Sequence, residues 1–253
     1  MSFGILIRDS LDSDALKFCQ QSGASEKVAL SFFVRGVKQA GLWDSMVCWP
    51  LRSSQNAGAG NVAYALGGLA GQNLSLFSSP GWGANGISFA RASGQYASCG
   101  WLGISGSITA MAVHAVSSIS TAHRVIQFRG GAARGGLWSP FSDGAGYWDA
   151  INQEVARTSA ALGASANTFF SHIGIGSASG IAQYRNGSVT VSSSATPASF
   201  NFTPSAFEIG RNDLTATLDS TVAFVLLAQT AALTANRWHD LYKNTLGQGL
   251  GLQ

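Results

Sequence analysis

Two spacings of apolar residues divide the chain. Over residues 12–41 apolar positions recur every three or four residues, which puts them on one face of a helix. Asp12 or Ser13 caps a first helix carrying Ala15, Leu16, Phe18 and Cys19, and Gly23 ends it. Ser25 caps a second helix whose repeat, Ala29, Phe32, Phe33, Val37 and Ala40, predicts one buried face; Gly41 fits the left-handed position beyond its end. The apolar run Met46-Val47-Cys48-Trp49 then stops at Pro50. From Asn61 onward the spacing changes to two, with turn residues about every ten positions, so strands are expected. They fall at 74–77, 87–89, 108–116, 125–128, 169–175, 183–185, 188–191, 207–210 and 222–228. Residues 108–116 set Ile108, Ala110, Ala112, His114 and Val116 on one face and Met111, Val113 and Ala115 on the other, both mainly apolar, as in the middle of a sandwich. Asn186-Gly187 between two short strands is a hairpin signal. Thr234 caps a last helix, with Leu233 and Trp238 as a hydrophobic staple. The glycine-rich tail beyond it is flexible unless held.

A chain of 253 residues fits one large all-β domain with a small appendage. Charged residues are only 11% and hydrophobic residues 46%, a composition suited to a surface buried in part against partners. The net charge is +3 and the arginines are spread along the chain, which argues against nucleic acid as a partner. Cys19, Cys48 and Cys99 do not make a disulfide framework and read as buried thiols. Residues 1–11 lack the form of a secretory signal, and no stretch is long and apolar enough for a membrane helix, so no membrane insertion is expected.

The order strand, Tyr184-x-Asn186-Gly187 turn, strand, Ile209-Gly210-Arg211, strand, closing helix resembles the laminin-G and concanavalin A-like family. The resemblance implies a mainly β fold: a two-sheet antiparallel β-sandwich, or jelly roll, over residues 55–253. A helical docking segment over 1–54 would precede it and one helix would close it. That leader has a resemblance of its own. Gly41-Leu42-Trp43-Asp44-Ser45-Met46 followed by Trp49-Pro50 looks like the leader of many tailed-phage virion proteins. It implies a virion setting, made in the host cytoplasm, with other virion proteins as partners and a homo-oligomeric state. Phe18, Phe32, Phe33, Trp43 and Trp49 are then the expected interface residues.

Catalysis finds little support. Glycosidic cleavage needs two carboxylates about 5–10 Å apart, and Glu26, Glu154 and Glu208 are remote from one another in sequence. Gly103-Ile104-Ser105-Gly106 and the serines within residues 176–180 miss the spacing of a nucleophile elbow. His114 reads as a packed, hydrogen-bonded histidine, and His123, His172 and His239 lack metal-site spacing. The glycines of residues 130–136 read as a hairpin loop. No cofactor is called for, and the acidic pairs Asp143/Asp149 and Asp213/Asp219 read as turn caps rather than calcium ligands. One cluster does suggest a ligand. Trp138, Phe141, Asp143, Tyr147 and Trp148 lie within eleven residues, a sugar-stacking loop in which Trp138, Asp143, Tyr147 and Trp148 would hold a host-surface glycan. The sequence therefore points first to a non-enzymatic virion component acting through protein contacts. The alternative is a carbohydrate-binding, receptor-recognition module.

Overall fold

The structure is a computed structural model. It describes residues 11–56, 60–69, 71–104, 106–130, 133–150, 157–193, 204–212, 215–230 and 234–252. Among these, two eight-stranded antiparallel sheets face each other as a β-sandwich. The back sheet runs in the order Ser188–Ser193, Gly180–Arg185, Phe170–Ser177, Ile108–Val116, Ser220–Ala228, Gly86–Phe89, Gly81–Gly83, with Met46–Pro50 also paired to Ser220–Ala228. The front sheet runs in the order Arg157–Ala161, Ala145–Asp149, Ala133–Trp138, Arg124–Gly130, Ala206–Ile209, Tyr96–Gly100, Leu74–Phe77, Val62–Ala63.

The central strand Ile108–Val116 is buried along its whole length, as its two apolar faces predict. Ile108, Ala110 and Ala112 point between the sheets, whereas Met111 and Val113 point away from the front sheet. The space between the sheets is filled by Trp49, Phe128, Leu137, Trp148, Phe207 and Val225. Trp49 stacks on Phe207 at 4.9 Å between ring centroids. Trp148 meets Phe128 edge-on at 6.0 Å.

A second apolar layer seals the outside of the back sheet. Helices Ser13–Ser22, Lys27–Gln39 and Ala235–Asn244 lie there, and Phe33 and Tyr242 pack on Phe224 at 5.6 and 4.5 Å. Each such side chain contributes about 1.5–3 kcal/mol by leaving water. Asp12 caps the first helix by accepting from the Asp14 and Ala15 amides, and Gly23 takes the left-handed conformation after it. The second helix differs in detail. Its buried stripe is Leu30, Phe33, Val34 and Val37, and Phe32 is 52% exposed. Leucine at 30 and valine at 34 complete a wider stripe than the one centred on Phe32 and Phe33, so the helix turns Phe32 outward. Glu26, not Ser25, takes its capping position. Thr234 sits before the last helix, but its hydroxyl bonds the Asn236 side chain rather than the helix backbone. Leu233 lies outside the described residues.

The leader is tied to the C-terminal tail by polar contacts. Arg52 donates to the carbonyls of Leu246 at 3.1 Å and Gln248 at 3.0 Å, and Gln55 bridges Glu26 and the Leu246 carbonyl. Leu246, Leu250 and Leu252 are buried, so the tail is held despite its glycines. Met46–Pro50 is a full strand of the back sheet, which therefore draws on residues before position 55.

Candidate functional site

The two outer faces of the sandwich differ in kind. The back sheet's outer face is apolar and covered by helices. The front sheet's outer face carries charged, amide and aromatic side chains, and among the described residues no helix lies over it. Directly opposed residues of an antiparallel pair share a face, so the strand registers show which side chains gather there. One row, Arg157, Asp149, Gly136, Gln127, Glu208, Ser98 and Ser75, crosses seven strands. A second row is Ser159, Tyr147, Trp138 and Arg124. A third holds Arg134 and Arg129, and Tyr96 lies opposite Phe77 at the far edge. The intervening positions, Trp148, Leu137, Phe128, Phe207, Ala97 and Leu76, point into the core. Gly136 matters here. Its φ is +134° and a Cβ would lie 2.0 Å from the Ile126 carbonyl oxygen, so only glycine fits beside the bulge at Arg124–Ile126.

Five of the eleven arginines of the chain meet on this face. Arg157 holds the buried Asp149 in a two-pronged pair at 2.6 and 3.1 Å, with buried Arg124 3.9 Å away. Buried Glu208 accepts from Arg129 at 3.4 Å and Arg211 at 3.0 Å. Three guanidinium groups lie over aromatic rings: Arg124 over Trp138 at 4.7 Å, Arg157 over Tyr147 at 5.1 Å and Arg211 over Tyr96 at 4.3 Å. Tyr96 stacks on Phe77 at 4.4 Å, and Phe77 is 39% exposed. Arg124, Gln127, Asp149 and Glu208 are themselves buried, so what the face presents outward is the guanidinium groups of Arg129 and Arg157 beside Phe77, Tyr96 and Tyr147. Its two carboxylates do not form a glycosidase pair. Asp149 and Glu208 are three strand spacings apart, about 14 Å, beyond the roughly 5–10 Å such a pair needs.

The glycan residues expected from sequence divide between the two sides of the sheet. Trp138, Phe141 and Tyr147 come together, with ring centroids at 5.1 and 5.4 Å. The Tyr147 hydroxyl donates to Asp143 at 2.6 Å, which lowers the Asp143 pKa and raises that of Tyr147. Trp148 belongs to the other side. It is fully buried and donates its indole N–H to the Ile175 carbonyl at 3.1 Å. Successive strand residues point to opposite faces, so Tyr147 and Trp148 cannot both meet one ligand. Residues 138–148 are not one loop but a hairpin, and Ala133–Trp138 is a strand where a glycine-rich loop was expected.

The expected interface residues are also mainly interior. Phe18 and Phe33 lie under the helices, Trp49 lies between the sheets, and Trp43 is partly buried with Lys38 5.1 Å from its ring. Their burial is needed to fill this chain's own two cores. Phe32 stands exposed. Among the described residues no group of three or more histidine, cysteine, aspartate or glutamate side chains is arranged to hold a metal. Asp149 is taken up by arginine, and Asp219 accepts from the Arg91 amide at 2.8 Å. Asp213 and Ser105 lie outside the described residues. His114 bonds the Ser139 carbonyl at 3.1 Å and packs on Phe170.

No family model matches the chain, and no curated protein matches it in sequence. Solved structures match its fold. The botulinum neurotoxin serotype D binding domain aligns with a TM-score of 0.56 at 10% identity, covering 81% of this chain and 52% of its own. The same toxin's ligand-binding domain in complex with N-acetylneuraminic acid gives 0.58 at 9% identity, covering 81% and 52%. Trypanosoma rangeli sialidase in complex with sialic acid gives 0.58 at 13% identity, covering 88% and 40%. The shared feature is the jelly-roll-like β-sandwich. The chain spans about half the length of these structures or less.

Proposed function

We propose that the protein is a non-enzymatic carbohydrate-binding module whose ligand lies on the outer face of the front sheet. The observation that carries this reading is the contrast between the two faces: one apolar and sealed by helices, the other bearing partly exposed arginines and aromatic rings held in place by buried carboxylates. Sugars present hydroxyl groups, which need fixed donors and acceptors, and apolar ring faces, which stack on aromatics. The likeness in fold to two structures bound to sialic acid supports the reading without naming the ligand. Tyr147 and Tyr96 are the residues to test, because both are only partly buried and neither fills the core. On a glycan array followed by calorimetry, the protein is expected to bind a saccharide, and Tyr147→Ala or Tyr96→Ala to weaken that binding roughly tenfold with little change in melting temperature. Absence of binding to any saccharide, or full affinity in both variants, would overturn the proposal.

A second reading, assembly through protein contacts in a virion, is supported by a different observation. Val28 and Phe32 stand exposed one turn apart on the second helix and line a cavity of about 750 Å³ with Leu11 and Ala29. The virion setting itself rests on the resemblance of residues 41–50. If the helix face holds a second copy, light scattering should find an oligomer that Phe32→Ser converts to a monomer. A wild-type monomer at high micromolar concentration would count against it. A point change is the right probe, because deleting residues 1–52 would remove a strand of the back sheet.

A further inference from the structure

We infer that the front face takes an acidic saccharide, one bearing a carboxylate or sulfate, and that Arg129 and Arg211 receive the acidic group beside an aromatic platform formed by Phe77 and Tyr96. The inference rests on the carbohydrate reading above and narrows it. Three observations carry it.

The first is an imbalance around Glu208. This single buried carboxylate is shared by two guanidinium groups, Arg129 and Arg211. Arg129 uses its Nε on Glu208, and among the described residues its two terminal amino groups have no protein partner; the side chain is 30% exposed. Guanidinium groups only donate, and two parallel N–H groups match a carboxylate or sulfate in shape. A neutral hydroxyl both donates and accepts and gains less from such a site.

The second is a like-charge contact. Arg129 stands directly opposite Arg134 in the ladder, on the same face. Like charges in directly opposed positions destabilise a sheet. The pairing brings a third guanidinium, one with interactions of its own, beside Arg129 and favours an Arg129 side chain that turns its terminal amino groups away from Arg134.

The third is the position of the platform. Arg211 lies against Tyr96, 4.3 Å from its ring, and Tyr96 stacks on the exposed Phe77. A donor fixed against an aromatic pair suits a sugar whose ring stacks while its acidic substituent reaches the arginine. Glu208 holds Arg211 in that place, so the donor is oriented before the ligand arrives.

Calorimetry with matched pairs tests this: 3′-sialyllactose against lactose, and oligogalacturonate against its methyl ester, on the full chain. The acidic member of at least one pair is expected to bind at least tenfold tighter, with affinity falling as salt is raised. Arg211→Gln and, separately, Arg129→Gln are expected to lose that preference, the acidic member falling to within about twofold of its neutral partner measured on the same variant. Arg211→Lys, which keeps charge but not the fork, should recover part of it. Melting curves for each variant separate loss of the donor from loss of fold. Equal affinity for acidic and neutral members would overturn this inference and leave the carbohydrate reading standing. No binding to any saccharide, here or on the array, would overturn both. An acidic preference unaltered in both glutamine variants would also overturn it, because the anion would then be held elsewhere.

Discussion

Trp148→Ala is expected to destabilise the protein by about 3–5 kcal/mol, enough to lower the melting temperature by roughly 10 °C in a chain of this size. Trp148 is fully buried and its ring lies against Gly174 on a strand of the opposite sheet. A Cβ placed on Gly174 would come within 2.2 Å of the indole, so the ring occupies the space that a side chain at 174 would need. Removing the ring leaves a cavity beneath Phe128 and strips the Ile175 carbonyl of its donor. The reciprocal change, Gly174→Val, overfills the same space and should also destabilise. The two together should cost less than the sum of the singles, since each relieves the other's defect. Urea melts of the four proteins decide the matter. A Trp148→Ala protein that loses less than about 1 kcal/mol would show that the two sheets are not locked at this point. The contrast with Tyr147→Ala is useful. Adjacent residues report on separate properties, the core at 148 and the binding face at 147, so loss of ligand in Trp148→Ala would reflect unfolding.

The same pair shows how far the sequence could be read. The period-two pattern found nine strands, among them Ile108–Val116 and Ser220–Ala228, because both carry long apolar runs. It missed Ala133–Trp138, Ala145–Asp149 and Arg157–Ala161, where glycine, alanine and charged residues dilute the alternation. Without those strands, residues 138–148 look like one aromatic loop, and Trp148 cannot be told from Tyr147. The arginines illustrate a second limit. Successive ones are 5 to 54 positions apart along the chain, and no local count brings them together; the registers do. A partial signal was present in Gln127-x-Arg129 and Glu208-x-x-Arg211, polar residues that alternate with Phe128 and Phe207 on strands otherwise apolar. The leader was legible as helix but not in its packing. Its aromatics could have faced another subunit, and the structure turns most of them onto its own back sheet.

Acidification from pH 7 to pH 4.5 is expected to cost stability, on the order of 2–3 kcal/mol for each of two histidines. His114 and His172 are fully buried. Burial pushes the pKa of His114 down to about 3 and that of His172 to about 4, from 6.5. The unfolded chain therefore takes up these protons first as the pH falls. Stability is full above pH 6.5, declines below it, and levels off only near the folded values of 4 and 3. His123, lowered by burial as well, acts in the same direction. The surroundings explain why no charge is tolerated. His114 faces Phe170 and the Ser139 carbonyl, and His172 lies against Gln183 with Arg185 opposite it in the ladder, so no carboxylate is placed to receive either imidazolium. Protonating one ring also disfavours the other. Asp12 and Asp14, held down chiefly by Lys38 against the opposing pull of burial, lose their contribution only below their ordinary value of 3.8 and so fall outside this window. Denaturant melts at pH 7, 6, 5 and 4.5 should show the decline, and His114→Gln with His172→Gln should flatten it. Equal stability at pH 7 and 4.5 would mean that the rings reach water or a carboxylate in the folded protein. An unchanged slope in the double variant would move the effect to other groups.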